Sequence, residues 1–313
     1  MSTLPDRTGR AATLTSLTSL AAAVMLLTGC VIGDVDRSAE SAADTPSGTP
    51  VADGTAPAPT TAAPTTAATP ATDAAHGPGI DVAESGGSAG VALLDDGELR
   101  TGGSLSNLTD AAWSTSKVPL SVAALTASPG DEQIAGQVRQ AITVSDNAAA
   151  DALWASLGDP GQAAAAVQDV LRAGGDTTTT VPAEKRRAEF SAYGQTTWAL
   201  DDQVTFAAGL RCIPGAAPVL DAMGQVSPDQ SSGLGQFDGA RFKGGWGPGE
   251  DGTYLLRQFG LVTAQDGTTV PVAVAATATD GTYESAQQVL DEAVASVRDT
   301  VTGAHGGAAD GDC

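Results

Sequence analysis

Residues 111–120 read AAWSTSKVPL, and Ser114-Thr115-Ser116-Lys117 at their centre decides how the rest of the chain is read. Residues three apart on a helix share a face, so at a helix start Lys117 can reach the hydroxyl of Ser114. A serine is a weak nucleophile until a neighbouring base takes its proton. A lysine can be that base only where desolvation or another positive charge lowers its pKa. Thr109 or Asp110 is placed to cap this helix, and Pro119 is tolerated because it falls close to the start. The chain holds three lysines, Lys117, Lys185 and Lys243. Its two histidines are His76, in a low-complexity stretch, and His305, in a Gly-rich tail. With no histidine expected in the folded part, a Ser-His-Asp triad and a histidine zinc site are excluded. A hydrolase built here must take its base from a lysine or a carboxylate.

Outward from this stretch, the pattern changes period twice. Upstream, Val91–Leu94 and Glu98–Thr101 flank an Asp-Asp-Gly turn and predict a hairpin. Downstream, Glu132–Val144 places Ile134, Val138 and Ile142 four apart, and Ala148–Leu157 and Gln162–Arg172 continue in helical style. Gly158-Asp159-Pro160 and Gly174-Gly175 separate these helices. Asp176–Gln195 reads as an irregular loop, and Thr197–Gly209 regains helical character. Ala240–Trp246 then predicts a strand, and residues 260–277 predict two strands around an Asp-Gly turn. Tyr283–Val301 predicts a helix with Leu290, Val294, Val297 and Val301 along one face. Sheet at both ends with helices between implies an α+β fold: an antiparallel sheet with flanking helices plus an inserted, shortened all-helical lobe.

Not all of the 313 residues should fold. Residues 30–79 are dominated by Ala, Pro, Thr, Ser and Asp, cannot bury enough surface to offset their ordering entropy, and read as an extended spacer. The folded domain is expected over 80–303, with 304–313 as a flexible tail. A formal net charge of −22 argues against nucleic acid, whose phosphates require clustered Lys and Arg. No His/Cys cluster and no phosphate-cradling glycine loop is present in the sequence, so no metal, nucleotide or redox cofactor is expected. Residues 1–29 have the character of an export signal, with Arg7 and Arg10 ahead of a mildly apolar run. It closes on Leu27-Thr28-Gly29-Cys30, which resembles a bacterial lipobox. The resemblance implies lipidation of Cys30 and attachment to the extracytoplasmic face of the plasma membrane. Export permits a disulfide between Cys212 and Cys313, which spacing alone leaves open.

Downstream of Ser114-x-x-Lys117 come Ser145-Asp146-Asn147 and Lys243-Gly244-Gly245. Taken in order, the three resemble the S-x-x-K, S-D-N and K-T-G set of the class A β-lactamases and penicillin-binding proteins. The likeness extends to the helix pair around AITVSDNAAADALWASLGDP and covers roughly residues 88–302. It implies that Ser114 attacks a carbonyl and forms an acyl-enzyme, and that Lys117 helps take its proton. Ser145 would pass a proton to the leaving nitrogen, with Lys243 holding the local field positive. Asn147 would bond the substrate amide, Gly244 and Gly245 would line the binding strand, and the N–H groups of Ser114 and Trp246 would form the oxyanion hole. Asp146 is read as support for its loop. Tyr254 or Arg257 could hold a substrate carboxylate. The implied substrates are β-lactams, with D-Ala-D-Ala peptides, or a cell-wall-binding role without catalysis, as alternatives. A monomer is expected.

Three features depart from the family pattern. Ser114 and Ser145 are only 31 residues apart, which predicts a trimmed helical lobe. Gly244 replaces the hydroxyl residue of K-T-G, a loss of about 0.5–1.5 kcal/mol for one hydrogen bond. No E-x-x-L-N follows the lobe, so a deacylation base would have to be Glu184 or Glu189, beside the basic run Lys185-Arg186-Arg187. Without one, acylation outruns hydrolysis.

Overall fold

The structure, a computed structural model, describes residues 79–306. The stretches read from the sequence as an export signal, a lipidation site at Cys30 and a spacer fall in residues 1–78, outside the described residues, as do residues 307–313. Strands β1 (Gly87–Asp95) and β2 (Glu98–Gly102) form the predicted hairpin. Asp96 and Gly97 at its tip both take positive φ, 50° and 80°, the backbone whose twist matches the flanking strands. A three-residue strand, β3 (Thr109–Ala111), leads into the helical lobe: α1 (Lys117–Ala127), α2 (Glu132–Thr143), α3 (Asn147–Ser156) and α4 (Pro160–Ala173). A matching short strand, β4 (Thr197–Ala199), pairs with β3 before α5 (Leu200–Leu210) and α6 (Ala217–Met223). The chain returns to the sheet through β5 (Arg241–Pro248), β6 (Tyr254–Thr263) and β7 (Thr269–Ala278), and ends in α7 (Tyr283–Ser296) and α8 (Arg298–Gly303).

Aspartates cap α2, α3 and α4. Asp131 accepts the N–H groups of Gln133 and Ile134, and Asp146 accepts that of Ala149. Asp159 and Gln162 bond each other's backbone reciprocally, a capping box just ahead of Pro160. Two expectations are corrected here. Thr109 and Asp110 are strand residues rather than caps for the helix of Lys117, because β3 must pair with β4. Thr197–Ala199 is that partner strand, so the helix predicted from Thr197 begins at Leu200.

The five long strands form one antiparallel sheet in the order β2-β1-β7-β6-β5. Side chains alternate across it. On β1, Ala89, Val91 and Leu93 face the core under α7 and α8, whereas Ala92 faces the core of the helical lobe. Leu290, Val294, Val297 and Val301 are all buried on the first side, as their spacing predicted, although the helix breaks at Val297 between α7 and α8. The lobe is inserted between β2 and β5, which leaves β5 at the sheet edge beside it. The α+β architecture read from the sequence is the one observed.

Residues 304–306 are tied to the domain. The backbone N–H of His305 bonds Asp95 at 2.8 Å, and its carbonyl accepts the N–H of Asp96 at 2.7 Å. Its Nδ1 lies 3.0 Å from Asp266 in the β6–β7 turn. The bond and charge of Asp266 hold the imidazole above its ordinary value, and Thr268 and His305 bring Asp266 down to about 2. A raised histidine favours the tied state at low pH and loses that contribution as pH rises through the folded value. A depressed aspartate contributes above its unfolded value and loses it as pH falls toward 2. The tether should therefore be firmest between the acid and neutral limbs. In an NMR titration, His305 is expected to titrate above the ordinary value in the wild type and to return to it in Asp266→Asn. Cys212, just after α5, is disulfide-bonded, and Cys313, the partner weighed from the sequence, lies outside the described residues.

Candidate active site

Lys117, Ser145, Asn147 and Lys243 meet where the edge strand β5 faces the lobe, and the backbone of the Ser114 turn lies against the same strand. Ser114 sits on a single 3-10 turn, Trp113–Ser116, that runs directly into α1. Trp113 ahead of it takes φ 51°, a left-handed backbone that costs energy in a residue with a β-carbon. Its indole packs over the α-carbon position of Gly247 and edge-on to Phe190, with ring centroids 5.0 Å apart. Packing on both sides thus holds the strained turn in place. Lys117 is the first residue of α1 and is fully buried.

Ser145 lies between α2 and α3, also fully buried and at positive φ, 57°. Asp146 caps α3 with its side chain, the supporting role expected of it, and so turns Ser145 and Asn147 toward Lys117. The Nζ of Lys117 donates to the Ser145 carbonyl at 2.6 Å and to Asn147 Oδ1 at 2.7 Å, with Ser145 Oγ at 3.4 Å. From the opposite side, Lys243 Nζ donates to Ser145 Oγ at 2.9 Å and to the Gly244 carbonyl at 2.8 Å. Two buried amines, 126 positions apart in the sequence, therefore share one serine hydroxyl. A β-carbon built on Gly245 would lie 2.7 Å from the Ser114 nitrogen and 2.8 Å from that of Thr115. Strand β5 passes against the backbone of the Ser114 turn at a distance only glycine allows.

The alternation of β5 sorts its other residues. Gly244 and Trp246 turn to the opposite face from Lys243 and Gly245. Gly244 lies opposite Gln258, and the Trp246 ring packs on Tyr283 with centroids 5.7 Å apart. What Trp246 can offer the Ser114 side is therefore its backbone, not its indole.

A second layer was not legible in the sequence. Arg257 of β6, opposite Gly245 in the strand register, is fully buried. It donates to the carbonyls of Asp110, Ala111 and Trp198 and to Gln203 Oε1 at distances of 2.7–3.2 Å. Gln203 in turn donates to Thr115 Oγ1 at 3.0 Å, one residue past Ser114. Burial lowers the Arg257 guanidinium to about 10, against the pull of the Asp110 charge. This corrects the expectation that Arg257 could hold a substrate carboxylate. Its donors are committed to the β3–β4 pair and to the turn of the nucleophile candidate.

The two glutamates weighed as deacylation bases are not in the cluster. Glu189 is exposed, its side chain at 54%, and pairs with Arg187 at 3.3 Å. Glu184 is exposed on the wall of a separate cavity with Asp151, Trp154 and Tyr193. The loop that bears them is closed on itself by Gln195, whose side chain bonds the backbone of Arg187, Phe190 and Ser191. It is pinned to β5 by Arg187, which donates to the Pro248 carbonyl at 2.7 Å. Among the described residues, no group of three His, Cys, Asp or Glu side chains is placed to hold a metal ion.

The fold that carries this arrangement is that of the class A β-lactamases. A class A enzyme from Bacteroides cellulosilyticus superposes with a TM-score of 0.55 at 15% identity, over 69% of this chain and 92% of that one. A class A β-lactamase from Mycobacterium abscessus gives 0.55 at 17% identity, over 69% and 94%. A variant of the last common ancestor of Gram-negative class A enzymes gives 0.53 at 19% identity, over 71% and 95%. No protein-family profile matches the chain, and no curated protein matches it significantly.

Proposed function

We propose that the protein is a serine hydrolase of the β-lactamase type that is acylated at Ser114 and releases the acyl group slowly. The observation that carries this reading is the convergence of Lys117 and Lys243 on Ser145 Oγ, beside the turn of Ser114. Burial and the neighbouring positive charge of Lys243 favour a neutral Lys117. A neutral amine has two N–H bonds to give to the Ser145 carbonyl and Asn147, and a lone pair with which to take the proton of Ser114. Ser114 Oγ then bonds to the substrate carbonyl carbon while the carbonyl oxygen takes up negative charge. The backbone N–H groups of Ser114 and Trp246 are assigned to that oxygen. As the carbon–nitrogen bond breaks, the proton passes from Lys117 through Ser145 to the leaving nitrogen, with Lys243 stabilising the Ser145 oxygen between transfers.

β-Lactams are the assigned substrates, with D-Ala-D-Ala peptides as the related alternative, since both present a carbonyl joined to a leaving nitrogen. Slow release is supported by the positions of Glu184 and Glu189, both exposed. The sequence Leu27–Cys30 supports a lipid anchor at Cys30 and a site of action outside the plasma membrane. Purified protein lacking residues 1–30 should be labelled covalently by a fluorescent penicillin, and the label should decay over hours rather than seconds. Decay in seconds would show that an effective deacylation base exists. Absence of label on folded protein would leave a binding role without catalysis.

A further inference from the structure

One face of α3 leads away from the reactive cluster. Asn147, bonded to Lys117, is followed one turn later by Asp151 and nearly two turns later by Trp154. Here a cavity of about 300 Å³ is lined by Asp151, Trp154, Ala183, Glu184, Lys185 and Tyr193 among others. Tyr193 is buried and donates its hydroxyl to Asp151 Oδ1 at 2.7 Å. Burial, and then the charge of Asp151, push that phenol well above its ordinary value, so it stays a donor and holds the carboxylate in place. The rings of Trp154 and Tyr193 stand 5.6 Å apart and give the cavity an aromatic wall. Its charged groups are two carboxylates and one ammonium, a net negative balance.

An aromatic wall beside a fixed carboxylate suits an organic ammonium, which pairs with the anion and rests against the ring faces. One helical turn is about 5.4 Å, so such a group would lie about that far beyond a substrate amide held by Asn147. We propose that this cavity is the subsite for a cationic amine carried on the acyl side of the substrate, with Asp151 as its anchor and Glu184 at its rim. The inference rests on the reading of Ser114 as the acylated residue and narrows the substrate to acyl donors bearing a free amino group. A peptide with a free amine is one source of that chemistry, and a β-lactam with an amino-substituted side chain is another.

Ampicillin and benzylpenicillin differ by one amino group on the acyl side chain and separate the two questions. The second-order acylation rate constant of the wild type is expected to be about fivefold higher for ampicillin, the yield of one partly exposed ion pair. Asp151→Asn keeps an oxygen acceptor for Tyr193, and should bring the ratio of the two rates close to one. Equal rates in the wild type, or a ratio unchanged in Asp151→Asn, would overturn the subsite. If neither penicillin acylates the protein, the acylation reading fails by itself. The subsite is then judged on Ser114→Ala protein by calorimetry with phenylglycine amide, the amine-bearing fragment. Binding that is lost in the Asp151→Asn double variant supports it, and no binding, or binding that survives, overturns it.

Discussion

Lys117→Met is expected to slow acylation of Ser114 by about 10²- to 10⁴-fold, the usual contribution of a positioned general base. Methionine keeps the apolar stem that α1 buries but has no amine. The Ser145 carbonyl and Asn147 Oδ1 lose donors at 2.6 and 2.7 Å, so some stability goes as well, about 1–3 kcal/mol for each buried group left unpaired. The two effects separate by measurement. A thermal melt reports the stability loss, and stopped-flow acylation of the folded fraction reports the catalytic one. Retention of wild-type acylation in folded Lys117→Met would remove this residue from the mechanism.

Gly245→Ala should be nearly as damaging, for a purely steric reason. The new methyl would lie 2.7, 2.8 and 2.9 Å from the Ser114 nitrogen, the Thr115 nitrogen and the Ala112 carbonyl oxygen, all backbone atoms. Strand β5 or the Ser114 turn must move, and a misplacement near 1 Å at a reacting centre costs about 10²-fold. The adjacent glycine provides the contrast. A β-carbon on Gly244 would meet nothing closer than Gln258 Cγ at 3.7 Å, an ordinary contact. Gly244→Thr is therefore expected to fold normally. Its side chain would turn to the Gln258 face, away from Lys243, so acylation should stay close to that of the wild type. Acylation rate constants across a penicillin concentration series should fall for Gly245→Ala and hold for Gly244→Thr.

The contrast between these two glycines also marks what the sequence could and could not convey. The three triplets were legible because their chemistry depends on residue type and order: a hydroxyl, an amine one turn later, a second hydroxyl, a second amine. The long strands and helices were legible from period, as in Leu290, Val294, Val297 and Val301. Strands β3 and β4, at three residues each, are too short to show alternation, and one was absorbed into the helix that follows it. The Arg257–Gln203–Thr115 chain was hidden because its partners are 54 and 88 positions apart and three of its five acceptors are backbone carbonyls. An arginine on the strand after Lys243 reads as a candidate for a substrate carboxylate until the β5–β6 register shows it under Gly245. The same holds for Tyr193 and Asp151, 42 positions apart and joined only by the folding of the loop onto α3. In the loop itself, composition put two glutamates within the right segment, but only geometry could show that both are exposed.

The central claim is that the hydroxyl of Ser114 is the group acylated. The direct measurement is peptide mapping by mass spectrometry after exposure of the folded protein to benzylpenicillin. The account predicts one added penicilloyl mass per chain, carried by the peptide containing Ser114 and absent from the Ser114→Ala variant. An adduct that maps to another residue, or that persists in Ser114→Ala, would contradict it.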